Sequence, residues 1–144
     1  MPDPALPDDA VRSVLVVDDD PVIRSLLRDT LEIEGYEVRT AEDGAAGLAL
    51  VAERRPDCVV LDLMMPGIDG HEVLRRIRAV DGEMLPVVML TAAAGDDHTW
   101  QAWAGGVSCF LAKPFDVDVL LRWVDYLCTW SADADAPAPS LPLA

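Results

Sequence analysis

Reactive side chains stand at the ends of four short apolar runs of the sequence. The run at residues 59–61 ends in Asp62, and Pro66 and Gly67 then prevent the strand from continuing. Three other runs, at residues 14–17, 86–90 and 107–112, end in the triplet Asp18, Asp19 and Asp20, in Thr91, and in Lys113. Runs of this kind are typical of strands buried on both faces. We therefore expect each reactive side chain to lie where a strand leaves the core.

These residue types together indicate phosphoryl transfer to a carboxylate. Asp18 or Asp19 would form with Asp62 a cluster of carboxylates whose repulsion a cation must relieve, and oxygen ligands without His or Cys favour Mg2+. The Thr91 hydroxyl and the Lys113 ammonium could then neutralise an anionic group attached to Asp62. Lys113 is the only lysine among 11 basic residues, which suggests a specific need for a flexible point charge at this position.

Composition restricts the class of protein. A chain of 144 residues that is 51% hydrophobic is long enough for one full core and too short for two. Its net charge of -15 argues against direct binding to nucleic acid or to anionic membranes. Three cysteines in apolar segments fit a reducing compartment, and the sequence shows neither an apolar run of membrane-spanning length nor a signal peptide. We expect a cytoplasmic protein.

The order of the elements predicts the fold. We expect strands at about residues 13–17, 36–40, 59–61, 86–90 and 107–112, and helices at about 20–35, 44–55, from 69 onward, 96–105 and 116–129. Five strands alternating with five helices indicate an α/β fold with a doubly wound parallel sheet, whose ligands bind at the carboxyl ends of the strands. Residues 1–11 are predicted to be a disordered lead-in, 12–130 the domain, and 131–144 a disordered tail or linker.

The four motifs, in this order, resemble those of the receiver domains of bacterial two-component response regulators. The resemblance extends from Arg12 to Trp130. The segments that carry it are 14–20 (VLVVDDD), 61–70 (LDLMMPGIDG), 90–92 (LTA) and 110–115 (FLAKPF). It implies a flavodoxin-like sheet of strand order 2-1-3-4-5, an order that the alternation of elements alone does not give.

The resemblance also implies a role for each site residue. Asp62 would accept a phosphoryl group from a sensor histidine kinase or a histidine phosphotransfer protein. Mg2+ would be bound directly by Asp19 and Asp62, through water by Asp18, and by the carbonyl oxygen of Met64. Thr91 and Lys113 would hold the phosphoryl group, and Phe110 would be the switch residue whose rotamer follows Thr91. Such a protein is not an enzyme in the usual sense, although it assists its own phosphorylation and dephosphorylation.

Other functions remain to be weighed against this one. The segment 18–22 (DDDPV) also fits the nucleophile motif of haloacid dehalogenase-type phosphatases, but the acidic pair at 96–97 precedes Lys113 instead of following it, and Asp62 would have no role. A receiver-like module that binds partners without phosphotransfer is a second alternative. The chain could also be a receiver excised from a hybrid kinase or from a DNA-binding regulator.

The final predicted helix carries two apolar stripes. One stripe should pack on the sheet. The other contains Val119, Trp123, Tyr126 and Trp130 and is predicted to point well away from the core. Either neighbouring helices or the segment 141–143 cover it, or it belongs to an output face with the fourth helix, the fifth strand and Phe110, where a homodimer partner or an effector docks.

Overall fold

The computed structural model describes residues 11–81, 85–91 and 107–132. Its five strands are β1 (Ser13–Val17), β2 (Glu37–Ala41), β3 (Cys58–Asp62), β4 (Val87–Thr91) and β5 (Cys109–Ala112). They form one parallel sheet of order β2-β1-β3-β4-β5, which confirms the predicted fold class and strand order. The helices in the described part of the chain are α1 (Pro21–Ile33), α2 (Gly44–Glu53), α3 (Gly70–Asp81) and α4 (Val117–Ala132).

The sheet is covered on both faces because its central strands are apolar at every position. Every residue of β3 and β4 is buried, and successive side chains point to opposite faces. Val59 and Leu61 belong to a core cluster with α3, whereas Cys58 and Val60 belong to a second cluster with α1 and α4. Two cores share one sheet, so the strands are fixed from both sides up to their carboxyl ends.

Local signals set the start of α1 where the sequence predicts it. The carboxylate of Asp20 accepts a hydrogen bond of 2.9 Å from the backbone N–H of Val22, and Pro21 occupies the first turn. Gly35 follows the helix with a positive φ of 97°, which glycine adopts without strain. Leu27 and Leu31 are fully buried, whereas the neighbouring Leu26 is 43% exposed.

Several boundaries differ from the predictions. Strand β5 begins at Cys109 and not at residue 107, and α1 ends at Ile33, two residues before the predicted end. Helix α2 ends at Glu53, before the predicted end at residue 55, and Arg54 is its extended C-terminal cap. Helix α4 continues to Ala132, beyond the predicted end at 129, so the first two residues of the predicted tail are helical. The predicted helix at 96–105 and the predicted lead-in lie outside the described residues, apart from residue 11. No helix in the described ranges is long and apolar enough to cross a membrane.

Candidate functional site

Three carboxylates converge at the carboxyl ends of β1 and β3. The two strands pair in parallel with Val17 beside Leu61, so the next residues, Asp18 and Asp62, leave the sheet side by side. Asp18 is 1% and Asp62 3% exposed, whereas Asp19 is exposed. Carboxylate oxygens of these three residues all lie within 4.8 Å of one another. The structure thus brings together the acidic residues that the sequence predicted to form the site.

Backbone hydrogen bonds and one arginine fix the position of Asp18. Its N–H donates to the carbonyl oxygen of Ala41 (3.1 Å), and its carboxylate accepts a hydrogen bond of 2.9 Å from the N–H of Asp20. Arg24 Nη1, one turn into α1, donates to the carbonyl oxygen of Asp18 (2.7 Å). Arg24 is not among the site residues predicted from the sequence. Its only signal was a basic residue near the start of a helix that follows an acidic triplet.

Lys113 joins two of the carboxylates from the opposite side. It follows β5, and its backbone N–H donates to the carbonyl oxygen of Thr91 (2.7 Å) at the end of β4. Its ammonium Nζ lies 3.0 Å from Asp18 Oδ2 and 3.3 Å from Asp62 Oδ1. Thr91 is fully buried, and the peptide bond from Lys113 to Pro114 is cis. Both of these predicted site residues therefore lie at the same edge of the sheet as the carboxylates.

The charges at this edge are only partly compensated. Burial, followed by the nearby carboxylate of Asp18, raises the pKa of Asp62 from 3.8 to about 6, although Lys113 opposes the change. Burial would lower the pKa of Lys113, but Asp18 and Asp62 together raise it above its ordinary value. A single ammonium thus faces three carboxylates, and at neutral pH the site carries excess negative charge.

This donor set fits Mg2+. The ligand atoms are carboxylate oxygens, and no His or Cys accompanies them in the cluster. Mg2+ is bound in proteins by one or two carboxylates while it keeps several waters, and the exposed Asp19 leaves one side of the cluster open to solvent. Asp18, Asp19 and Asp62 would hold the ion here.

The remaining predicted site residues are Met64, which lies in the loop after Asp62, and Phe110, which lies on the edge strand β5. Met64 is in the loop after β3 and is 53% exposed, whereas the adjacent Met65 is 8% exposed. Phe110 lies on β5 opposite Met89 and is partly buried against the core cluster that includes α3. The structure thus places Phe110 two strands away from Asp62, with β4 between them, on the strand that also leads to Lys113.

The aromatic stripe of α4 is less separate from the core than the sequence predicted. Val119, Trp123 and Tyr126 are partly buried and pack against the cluster shared by α1 and α4. The rings of Trp123 and Tyr126 meet edge to face, with centroids 6.1 Å apart. The prediction that these residues point well away from the core is therefore wrong, because the rings of Trp123 and Tyr126 and the side chain of Val119 contact it. The side chain of Trp130 lies outside the described residues.

Comparison with known proteins identifies this arrangement. The family described as "Response regulator receiver domain" matches residues 14–125. The chain belongs to this family. The response regulator MprA of Mycobacterium sp. (strain KMS) is 42% identical over 129 residues, which cover 89% of this chain and 56% of that protein. Membership in the receiver family also excludes the haloacid dehalogenase alternative.

Two solved receivers show the same fold. The Vibrio cholerae chemotaxis protein CheY4 superposes with a TM-score of 0.77 at 34% identity, over 82% of this chain and 99% of that one. The response regulator TrrA from Thermotoga maritima, solved in complex with Mg2+-BeF, superposes with a TM-score of 0.74 at 37% identity, over 81% and 99% of the two chains. The chain spans about half the length of the curated relatives that it matches, such as MprA.

Proposed function

We propose that this receiver domain accepts a phosphoryl group on Asp62 in a Mg2+-dependent reaction. The observation that carries the proposal is the convergence of Asp18, Asp19 and Asp62 around one point, with Lys113 Nζ within 3.3 Å of both buried carboxylates. Because Asp62 has a pKa of about 6, it is mostly ionised at neutral pH and can act as the nucleophile.

The chain's own residues supply the nucleophile and part of the positive charge for the transfer. One carboxylate oxygen of Asp62 forms a bond to phosphorus, while the bond from phosphorus to the leaving group breaks and the leaving group departs with the electron pair. Lys113 can move from its pairing with Asp62 to a phosphoryl oxygen, and the Thr91 hydroxyl at the neighbouring strand end can donate to another. Mg2+ bound by the carboxylates, and by the proposed carbonyl ligand of Met64, would supply further positive charge to the phosphoryl oxygens.

Labelling with a small phosphodonor tests the proposal. We expect acetyl phosphate with Mg2+ to add one acid-labile phosphoryl group, located on Asp62 by mass spectrometry of peptides. Asp62→Asn should remain unlabelled. Asp20→Asn is the matched control, because Asp20 is an exposed helix cap and asparagine caps helices equally well. Equal labelling of Asp62→Asn and of the parent would show that another residue is the acceptor.

The physiological donor is proposed to be a histidine kinase or a histidine phosphotransfer protein in the cytoplasm. The domain is proposed to occupy residues 12–130, with short flanking segments on either side. Because the chain spans about half of MprA, we keep a second candidate, in which this receiver regulates a further domain of a longer protein. Incubation of the chain with a phosphorylated phosphotransfer protein, with Asp62→Asn as the control, tests the donor class.

The signal is proposed to leave through a face that combines β5, α4 and the helix predicted at residues 96–105. Phe110 connects β5 to the site, since the same strand leads to Lys113, and it could change rotamer when Thr91 moves toward a phosphoryl group. The contacts that α4 would offer to a homodimer partner or an effector are Val119, Trp123, Tyr126 and Trp130. The partial exposure of Val119, Trp123 and Tyr126 supports a surface role in addition to packing.

A further inference from the structure

Helix α3 begins directly against the backbone of the proposed phosphoacceptor. The N–H of Gly70, the first residue of the helix, donates to the carbonyl oxygen of Leu63 (2.8 Å). The N–H of Leu63 in turn donates to the carbonyl oxygen of Leu90 at the end of β4 (2.8 Å), and its side chain is fully buried. The residue that follows Asp62 is therefore held by a strand on one side and by the start of a helix on the other.

The close approach requires a residue without a side chain at position 70. A Cβ there would lie 2.6 Å from the carbonyl oxygen of Asp62 and 2.7 Å from Leu63 Cα. Both atoms belong to the backbone at the end of a buried strand, so neither can rotate away as a side chain could. Ordinary van der Waals contact begins at 3.4 Å, so a methyl group would force helix and strand apart by roughly 0.8 Å.

Gly44 provides a matched comparison within the same fold. A Cβ at Gly44, on α2, would lie 2.6 Å from Val73 Cγ2 and 2.7 Å from Ile68 Cγ1. The crowding is equally close and also involves α3 and the loop before it. The atoms that must yield are side-chain atoms, however, and none belongs to Asp62 or Leu63. A substitution at Gly44 would therefore crowd the core only, whereas one at Gly70 would also displace the backbone of Asp62.

We propose that Gly70 is a positioning residue for phosphoryl transfer, because its lack of a side chain lets α3 fix the backbone of Asp62. This inference rests on the proposed function. The distances at the site show why a small displacement matters: Lys113 Nζ is 3.3 Å from Asp62 Oδ1, already at the long end of hydrogen-bond contact. A shift of the Asp62 backbone by most of an ångström would misalign its carboxylate with Lys113 and with the other carboxylates.

The test compares the parent, Gly70→Ala and Gly44→Ala in phosphorylation by acetyl phosphate. Rates are measured over a range of Mg2+ and donor concentrations, and stability is measured by urea unfolding. Both substitutions should lower stability. Gly70→Ala should in addition lower the maximal rate at saturating Mg2+ and donor by on the order of 10- to 100-fold, since ångström-scale misplacement of reacting groups costs about that much. Gly44→Ala should stay within about threefold of the parent, because misplacement of reacting groups is absent there.

The maximal rate is divided by the folded fraction of each protein, which circular dichroism measures. A substitution that only lowered stability would leave this rate per folded molecule unchanged. If Gly70→Ala lacks a folded baseline in buffer, all three proteins are compared in the same concentration of trimethylamine N-oxide, which favours the folded state. A labelled parent together with equal maximal rates for the two variants would overturn this inference alone. A parent that acetyl phosphate does not label on Asp62 would overturn the proposed function, and this inference with it.

Discussion

Replacing Asp62 with asparagine should stabilise the metal-free protein at neutral pH. Asp62 is 3% exposed and lies beside the buried carboxylate of Asp18, and both features make its ionisation costly. Asparagine has nearly the same shape and no charge, so it removes this cost while Lys113 keeps its 3.0 Å contact with Asp18. A substitution that abolishes the proposed function should therefore raise the free energy of unfolding.

The size and the pH range of the effect follow from the pKa of Asp62. Because the folded-state pKa of about 6 exceeds the ordinary 3.8, the folded state binds this proton more tightly than the unfolded state does. The associated stability is fully present below pH 3.8 and is lost as the pH rises through 6. At 1.36 kcal/mol per pKa unit, ionisation of Asp62 costs about 3 kcal/mol at pH 8, and about half of this is recovered at pH 5.

Urea unfolding in the presence of a chelator measures this cost directly. The free energies of unfolding of the parent and of Asp62→Asn are compared between pH 8 and pH 5, and taking their difference cancels the titrating groups that do not interact with Asp62. Asp20→Asn, an exposed substitution, should show no pH-dependent gain. If Asp62→Asn is no more stable than the parent at pH 8, or if its advantage does not shrink toward pH 5, then the carboxylate of Asp62 is not strained by burial and repulsion.

Three further predictions concern the metal, the lifetime of the phosphoryl group and the output face. Mg2+ at ten times its dissociation constant should add about 1.4 kcal/mol to the free energy of unfolding, and Asp19→Asn should lose most of this gain while an equal concentration of NaCl gives none. Met64→Asn should shorten the lifetime of phosphorylated Asp62 several-fold in phosphate-release assays, because its amide can orient a water where the thioether cannot; an unchanged lifetime would remove the argument. Trp123→Ala should lower the free energy of unfolding by about 2 kcal/mol because packing is lost. Both Trp123→Ala and Tyr126→Ala should weaken any association that beryllofluoride induces in sedimentation experiments. If the parent stays monomeric with and without beryllofluoride and both variants bind the effector normally, the aromatic stripe of α4 serves packing alone.

The sequence was sufficient for the parts of the fold that depend on local pattern. Central strands β3 and β4 are continuous apolar runs because both of their faces are covered, and each run ends at its reactive residue. The convergence of Asp18, Asp62 and Lys113 followed from the rule that parallel strands place their carboxyl ends on one edge. The strand order came only from the family resemblance, since alternation of strands and helices is compatible with several orders.

Features that depend on how elements approach one another could not be predicted in the same way. On a helical projection Trp123 and Tyr126 fall outside the core face of α4, yet their rings are long enough to reach the core and are partly buried. Arg24 appeared to be an ordinary helix residue, because its role depends on the 2.7 Å distance to the carbonyl of Asp18. Gly70 was noted in the sequence only as the last residue of the segment 61–70, and only the position of α3 against β3 indicates the role proposed for it.

The imbalance of charge that lowers the stability of the metal-free fold also suits the site to the proposed binding of Mg2+ and transfer of a phosphoryl group. Three carboxylates within 4.8 Å and one lysine leave the metal-free site with net negative charge, in a place where burial weakens screening by water. Burial and the charge of Asp18 raise the pKa of Asp62, and a bound cation would oppose both by favouring the ionised carboxylate, so the cost of about 3 kcal/mol should be smaller when Mg2+ is bound. A second lysine would reduce the excess negative charge and stabilise the resting fold, but it would also weaken the attraction for Mg2+ and leave Asp62 a weaker nucleophile. The single lysine thus pairs with two of the carboxylates without replacing the cation that the proposed reaction would use.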